Sequence, residues 1–123
     1  MAQNYKVLGQ IFYSANAEGF AANTIANVYV TSAAANAIVS TIYITNQDIA
    51  NANVDIIVRP SNEALSNKHY VLQNHLIEQA DTLVLNLNLT MGEDTILAAN
   101  NSIRAGEFKL ANVSINAFGV ELT

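Results

Sequence analysis

The segment Asp81-Thr82-Leu83-Val84-Leu85-Asn86-Leu87-Asn88-Leu89-Thr90 decides the fold class of this 123-residue chain. Its four leucines recur at every second position, and polar residues and one valine stand between them. Alternate side chains of a strand point to opposite faces, whereas a helix would scatter these leucines around its circumference. The segment is therefore predicted to be a strand with one buried and one exposed face.

Other segments repeat this alternation. Residues 37–45 are rich in β-branched side chains, which favour extended backbone, and residues 54–59 alternate up to the single proline, Pro60, which is predicted to end that strand. Further strands are predicted within 27–31, 69–73, 95–98 and 108–122, the last with a bulge near Phe118 or Gly119. The pattern predicts an all-β protein: a single-domain β-sandwich, jelly-roll or immunoglobulin-like, with about seven or eight strands.

The N-terminal segment has a different composition from the rest of the chain. Residues 1–26 are predicted to form an arm or loop segment packed on a β-sandwich domain that spans 27–123. Its aromatic and apolar side chains are candidate interface residues in an arm or a shared strand; they are Tyr5, Val7, Leu8, Ile11, Phe12 and Tyr13. An ordinary long surface loop fits the small, polar stretch 14–26 equally well.

Composition excludes several classes of protein. The chain is 51% hydrophobic and only 12% charged, which is the reverse of a disordered protein. It has no cysteine, so disulfides and thiolate chemistry are excluded. The net charge of -5 argues against a nucleic-acid partner, and the apolar runs are too short to predict a membrane partner. No export signal is visible at the start of the sequence.

The residues that could carry chemistry form no recognisable constellation. His69 and His75 are the only histidines, and neither their spacing nor their neighbours set a metal coordination geometry. The sequence has no Gly-x-Ser-x-Gly elbow and no glycine-rich phosphate loop. We therefore expect no enzymatic activity, no catalytic residue, no metal and no cofactor.

A second candidate interface lies where the predicted strands 54–59 and 69–73 are joined. A docking patch for an acidic or aromatic surface could be formed there by Arg59, Lys68, His69 and Tyr70. The alternative is that Arg59 and Lys68 neutralise Asp55 and Glu63 while Tyr70 packs, and we favour this alternative.

Several short stretches, in order along nearly the whole chain, carry a family resemblance. They are Tyr5-Lys6-Val7-Leu8-Gly9-Gln10, Ile38-Val39-Ser40-Thr41-Ile42-Tyr43-Ile44, Val58-Arg59-Pro60, Lys68-His69-Tyr70, Asp81-Thr82-Leu83 and Asn116-Ala117-Phe118-Gly119-Val120-Glu121-Leu122-Thr123. In this order they resemble a family of small virion proteins of tailed phages, particularly phages of cyanobacteria and other aquatic bacteria. The resemblance implies a β-sandwich located in the virion, as a capsid decoration (cement) protein or a neck or tail subunit.

The expected partners follow from the resemblance and from the composition. The resemblance implies contacts with other virion proteins, namely capsid, neck or tail proteins. The 19 alanines bury little apolar area each, so burial against further copies would add stability, and we expect a homo-oligomer. The alternative function is a carbohydrate-binding or host-adhesion module on a virion or bacterial surface, using Tyr29, Tyr43 and Tyr70 as stacking platforms.

Overall fold

A computed structural model describes residues 3–13, 25–32, 35–47, 52–102 and 112–122. The strands in these ranges are β1 (Gln3–Tyr13), β2 (Ala26–Val30), β3 (Asn36–Asn46), β4 (Ala52–Pro60), β5 (Tyr70–Ile77), β6 (Thr82–Met91), β7 (Thr95–Ser102) and β8 (Val113–Leu122). One short 3-10 turn, Asn67–His69, precedes β5. Within these ranges, no helix is long and apolar enough to cross a membrane.

The eight strands form two antiparallel four-stranded sheets. The first sheet has the order β1-β8-β3-β6 and the second has the order β2-β7-β4-β5. The first strand pairs with the last, the second with the seventh, the third with the sixth and the fourth with the fifth. A long hairpin that is rolled up along its length gives these pairs, which is the jelly-roll arrangement. The predicted all-β sandwich is confirmed, and the strand order selects the jelly roll over the immunoglobulin-like topology.

The main core lies between the two sheets. Its largest fully buried side chains include Ile42 and Ile44 of β3, Ile56 of β4, Leu97 of β7 and Ile115 of β8. The four leucines of β6 point to this core, as the alternation predicts, but they are only half-buried because β6 is an edge strand.

A second, smaller apolar cluster lies on the outer face of the second sheet. Ile57, Ile96 and Ala98 are buried there, and Tyr70 packs against them. Ile57 follows Ile56 of the main core in sequence, so β4 contributes buried side chains to both of its faces. A strand buried on both faces has an unbroken apolar run in place of strict alternation.

The structure corrects the boundary predicted at residue 26. β1 is an edge strand of the first sheet and pairs with β8 from Gln3 to Tyr13, so the sandwich begins at β1. The register shifts between Val7 and Gly9, which leaves Leu8 as an extra residue and hides the alternation in the sequence. Residues 14–24 of the predicted arm lie outside the described residues.

Candidate functional site

The candidate site is the outer face of the first sheet, here called the outer face. Strand registers and the alternation of exposure place these side chains on it: Val7, Gln10 and Phe12 of β1; Ser114, Asn116, Phe118 and Val120 of β8; Ile38, Thr41, Tyr43 and Thr45 of β3; and Thr82, Val84, Asn86, Asn88 and Thr90 of β6. None of them is charged. In a chain that carries 15 charged residues, four neighbouring strands thus present a neutral surface.

An apolar band crosses the outer face from β1 to β6. Val84 is 45% exposed, Val7 44% and Tyr43 41%. Tyr43 packs on Phe118 of the neighbouring strand, with ring centroids 5.4 Å apart and planes tilted by 60°. Val7 pairs with Phe118 across the other side of β8, and Tyr43 pairs with Val84, so these four side chains cross the whole sheet. A continuous exposed apolar patch of this kind is typical of a protein-interaction site.

Neutral polar groups lie beside this apolar band. The Gln10 side-chain amide donates to Asn116 Oδ1 at 2.6 Å, and the Thr45 and Thr82 hydroxyls lie 3.2 Å apart. The Thr41 hydroxyl donates to Asn86 Oδ1 at 3.5 Å. These bonds link neighbouring strands and leave amide and hydroxyl groups exposed. The outer face is therefore suited to binding through apolar packing and through hydrogen bonds between uncharged groups. Salt weakens such contacts little, because it screens charges.

The candidate residues of β1 separate into two groups. Val7 and Phe12 are exposed on the outer face, whereas Leu8 and Ile11 turn inward and pack on the main core. The backbones of Tyr5 and Tyr13 belong to β1, and their side chains lie outside what the structure describes. The six residues thus do not form one surface.

The second candidate interface lies on the other sheet, at the end of β4 and β5. Lys68 Nζ is 3.1 Å from Glu63 Oε1, and Arg59 donates to the backbone carbonyl of Glu63 at 2.8 Å. Tyr70 packs on the cluster around Ile57. Lys68 and Tyr70 thus agree with the alternative in which the charges are neutralised and Tyr70 packs, whereas Arg59 donates to the backbone carbonyls of Pro60 and Glu63. Arg59, Lys68 and Tyr70 lie together but apart from the outer face.

His69 has a defined hydrogen-bonding role in the same loop. Its ring is buried, and Nδ1 accepts a hydrogen bond from the Ser66 N–H at 3.0 Å. The ring proton therefore resides on Nε2, which donates to Glu63 Oε1 at 3.2 Å. Hydrogen bonds from Lys68, and then from His69, hold the pKa of Glu63 below its ordinary value. His75 is exposed in β5, and the described residues contain no group of three or more histidine or acidic side chains able to hold a metal.

A polar cluster ties the two sheets together beside the outer face. The Tyr29 hydroxyl of β2 donates to the Glu121 carboxylate of β8, and Lys6 Nζ lies 3.3 Å from the same carboxylate. These contacts lower the pKa of Glu121, the hydrogen bond from Tyr29 contributing most. Burial, followed by the bond to Glu121, raises the pKa of Tyr29. The Tyr29 hydroxyl is therefore used for a hydrogen bond within the protein.

Sequence reasoning missed most of the outer face. Ile38, Val84, Phe118 and Val120 belong to the site, and each is an apolar residue on the exposed side of an alternating strand. An apolar residue on the exposed side of a strand is the signal that could have identified them, because such a side chain is not buried in the core. Comparison with protein-family models and with curated proteins found no match for this chain.

Proposed function

We propose that this chain is a non-enzymatic structural subunit of a tailed-phage virion that acts through protein–protein contacts. Its place would be on the capsid, as a decoration or cement protein, or in the neck or tail. The observation that carries the proposal is the neutral outer face, whose exposed apolar band includes Val7, Tyr43 and Val84. The family resemblance of the sequence supports the same role.

The size of the outer face fits a stable protein contact. Four strands at the usual spacing and about ten residues in length span about 19 Å by 33 Å, or about 600 Å2. A standard protein interface buries about 800 Å2 on each partner. The outer face with its rim therefore supplies most of one such interface.

The location in a virion can be tested by copy counting. Particles of the phage that encodes the chain would be purified on a density gradient and their proteins quantified by mass spectrometry. We expect the chain to remain with the particles, in hundreds of copies for a decoration protein and in far fewer for a neck or tail subunit. A chain that is abundant in the infected-cell lysate but missing from the purified particles would contradict the proposal.

The contact surface can be tested with a matched pair of variants. Val84→Lys places a charge on the outer face, beside Tyr43, and Val71→Lys places one on β5 of the second sheet. The two valines are equally exposed, at 45% and 47%. When each purified chain is added to particles that lack it, Val84→Lys should bind at least about tenfold more weakly, because burying an unpaired ammonium group is unfavourable. Equal binding of both variants would show that the outer face is not the surface that contacts the particle.

Glycan binding is a second candidate, which Tyr43 favours. Of the three tyrosines predicted as stacking platforms, Tyr43 is 41% exposed, whereas Tyr29 bonds to Glu121 and Tyr70 packs on Ile57. A glycan array probed with the isolated chain and with Tyr43→Ala tests this role. Binding that the variant loses would favour the glycan function, and an array with no binding would remove it.

A further inference from the structure

β6 presents an unprotected edge. It is the last strand of the first sheet, and no described strand pairs with its other side. Its ten residues, Thr82–Met91, include no charged residue, no proline and no glycine. Proteins usually protect an edge strand with charges, proline, bulges or short length, because open backbone groups pair readily with another chain.

The other three edges carry such protection. β2 has only five residues and one register shift, and β5 is paired to β4 with two register shifts. β1 carries Lys6 and a shift at Leu8. β6 has one irregularity, where Leu87 and Asn88 lie opposite Ser40 of β3. The alternation of exposed and half-buried side chains nevertheless continues unbroken along β6.

The inner side chains of β6 are incompletely covered. Leu83, Leu85, Leu87 and Leu89 pack on the main core yet stay half-buried, whereas the inward apolar side chains of the central strands β3 and β8 are fully buried. A strand added beyond β6 would bring a second row of side chains against these leucines. The free edge thus offers unpaired backbone groups together with apolar area.

The sequence of β6 is nearly the same in both directions from Asn86. The matching positions are Thr82 and Thr90, Leu83 and Leu89, and Leu85 and Leu87, and the one unlike pair is Val84 and Asn88. Antiparallel strands related by a two-fold axis place such positions opposite each other. We infer that two copies of this chain pair antiparallel through β6, with the two-fold axis at Asn86, and so join their first sheets into one eight-stranded sheet.

The length of the pairing and charge favour this register over its neighbours. With the axis at Asn86, nine uncharged residues of β6 pair, and the next position outward places Asp81 opposite Met91. An axis at Leu85 would pair only residues 82–88 of β6 with each other, and an axis at Leu87 would place Asp81 opposite Glu93. Like charges across strands are unfavourable. An uncharged edge is also where two copies of an acidic chain repel each other least.

Cross-linking tests the axis directly, because the chain has no cysteine of its own. In the inferred dimer, the two copies of Asn86→Cys face each other within reach of a disulfide. The matched control, Asn88→Cys, is also exposed on β6, but its two copies would lie about 13 Å apart. Under mild oxidation, Asn86→Cys should give at least about tenfold more disulfide-linked dimer than the control. Equal yields, or more from the control, would overturn the register.

A charge exchange at the same position tests the pairing without a cross-link. Asn86→Lys and Asn86→Asp each place like charges across the axis, so each should dimerise at least about tenfold more weakly than the native chain in sedimentation equilibrium. A mixture of the two variants should recover the dimer, because opposite charges then meet. Native chain that stays monomeric at millimolar concentration, or a mixture that fails to recover, would overturn the inference.

The inference goes beyond the proposed function, because it concerns the isolated chain in solution. A chain that is retained in particles but never dimerises would disprove the β6 contact alone. A chain that dimerises through Asn86 but is missing from particles would disprove the virion role alone. Failure of the virion proposal and failure of the β6 dimer can therefore be told apart.

Discussion

At the scale of single residues, two glycines allow strands to approach closely. A Cβ atom added to Gly9 would overlap the backbone carbonyl oxygen of Val28, where β1 meets β2. One added to Gly119 would overlap the carbonyl oxygen of Ile38. The neighbours in both cases are backbone atoms, which cannot rotate away as a side chain can. These positions are therefore restricted to glycine by contact.

Gly9→Ala should lower the free energy of unfolding by about 2 to 4 kcal/mol, because the added methyl group forces two strands apart. Urea denaturation followed by circular dichroism measures the change. Gly92→Ala is the matched control, since nothing lies within 4 Å of its added Cβ, and it should change stability by less than about 0.5 kcal/mol. Equal effects of the two substitutions would contradict the close approach of β1 and β2.

Ala80 is strained in the turn between β5 and β6. Its φ of 57° lies in the left-handed region, which a Cβ atom disfavours. Ala80→Gly should therefore raise the free energy of unfolding by about 0.5 to 1 kcal/mol. Ala64→Gly is a suitable control, because Ala64 is exposed and has no positive φ, and it should give no gain. A gain of the same size at both positions would show that strain is not the cause.

At the scale of elements, Thr31 holds the turn between β6 and β7. Its buried hydroxyl donates to the Gly92 carbonyl at 2.6 Å and accepts from the Thr95 N–H at 2.8 Å. Its own N–H donates to the Thr95 carbonyl at 3.0 Å. One side chain therefore satisfies two backbone groups of a turn that belongs to the other end of the chain.

Thr31→Val should lower the free energy of unfolding by about 1 to 3 kcal/mol, because it keeps the shape and leaves buried groups unpaired. Thermal unfolding of both proteins measures the difference. Thr31→Ser retains the hydroxyl and should recover most of the loss. If serine destabilises as much as valine, the lost hydrogen bonds are not the reason.

The contact of Tyr29 with Glu121 joins one strand of each sheet and predicts a pH dependence. The pKa of Glu121 is lowered, so its stabilising effect is present above the ordinary glutamate value and is lost as pH falls through the lowered pKa. The pKa of Tyr29 is raised, so its effect is present below the ordinary tyrosine value and is lost as pH rises through the raised pKa. The contact therefore stabilises the fold most between about pH 5 and pH 9.

Tyr29→Phe should lower the free energy of unfolding between about pH 5 and pH 9. The difference in this free energy between the variant and the native chain should become smaller toward pH 3. Urea denaturation of both proteins at pH 3, 5 and 7 measures this difference in the free energy of unfolding. Tyr43→Phe is the control, because Tyr43 packs on Phe118 of the outer face and the hydroxyl bonded to Glu121 is that of Tyr29. A constant difference for Tyr29→Phe across pH would contradict the contact.

At the scale of the whole molecule, the first and last strands are paired. β1 covers one edge of β8 along its length, and Leu8 and Ile11 complete the core beneath it. Deleting residues 1–13 should therefore abolish the cooperative unfolding transition rather than only remove an interface, which thermal denaturation checks. A truncated chain that unfolds cooperatively at nearly the native temperature would return β1 to the role of an arm.

Sequence predictions that depend on residues close together in the chain were more accurate than those that depend on a partner strand. The strands at 37–45 and 54–59 extend to Asn36–Asn46 and Ala52–Pro60, and Pro60 ends its strand as predicted. The bulge predicted near Phe118 is displaced: β8 continues its alternation, and the extra residues are Leu8 and Ser40 of its two neighbours. A register depends on both strands, so one strand's pattern does not tell which of them carries the extra residue.

The sequence by itself determined every described strand except β1, and the class of fold, because alternation acts between near neighbours in the chain. The tertiary structure alone decided the jelly-roll order, the place of β1 in the sheet and the assembly of Val7, Tyr43, Val84 and Phe118 into one face. These residues come from four strands that are distant in sequence. Pairing between such strands depends on the closure of long loops and the burial of a shared core, which no local pattern encodes.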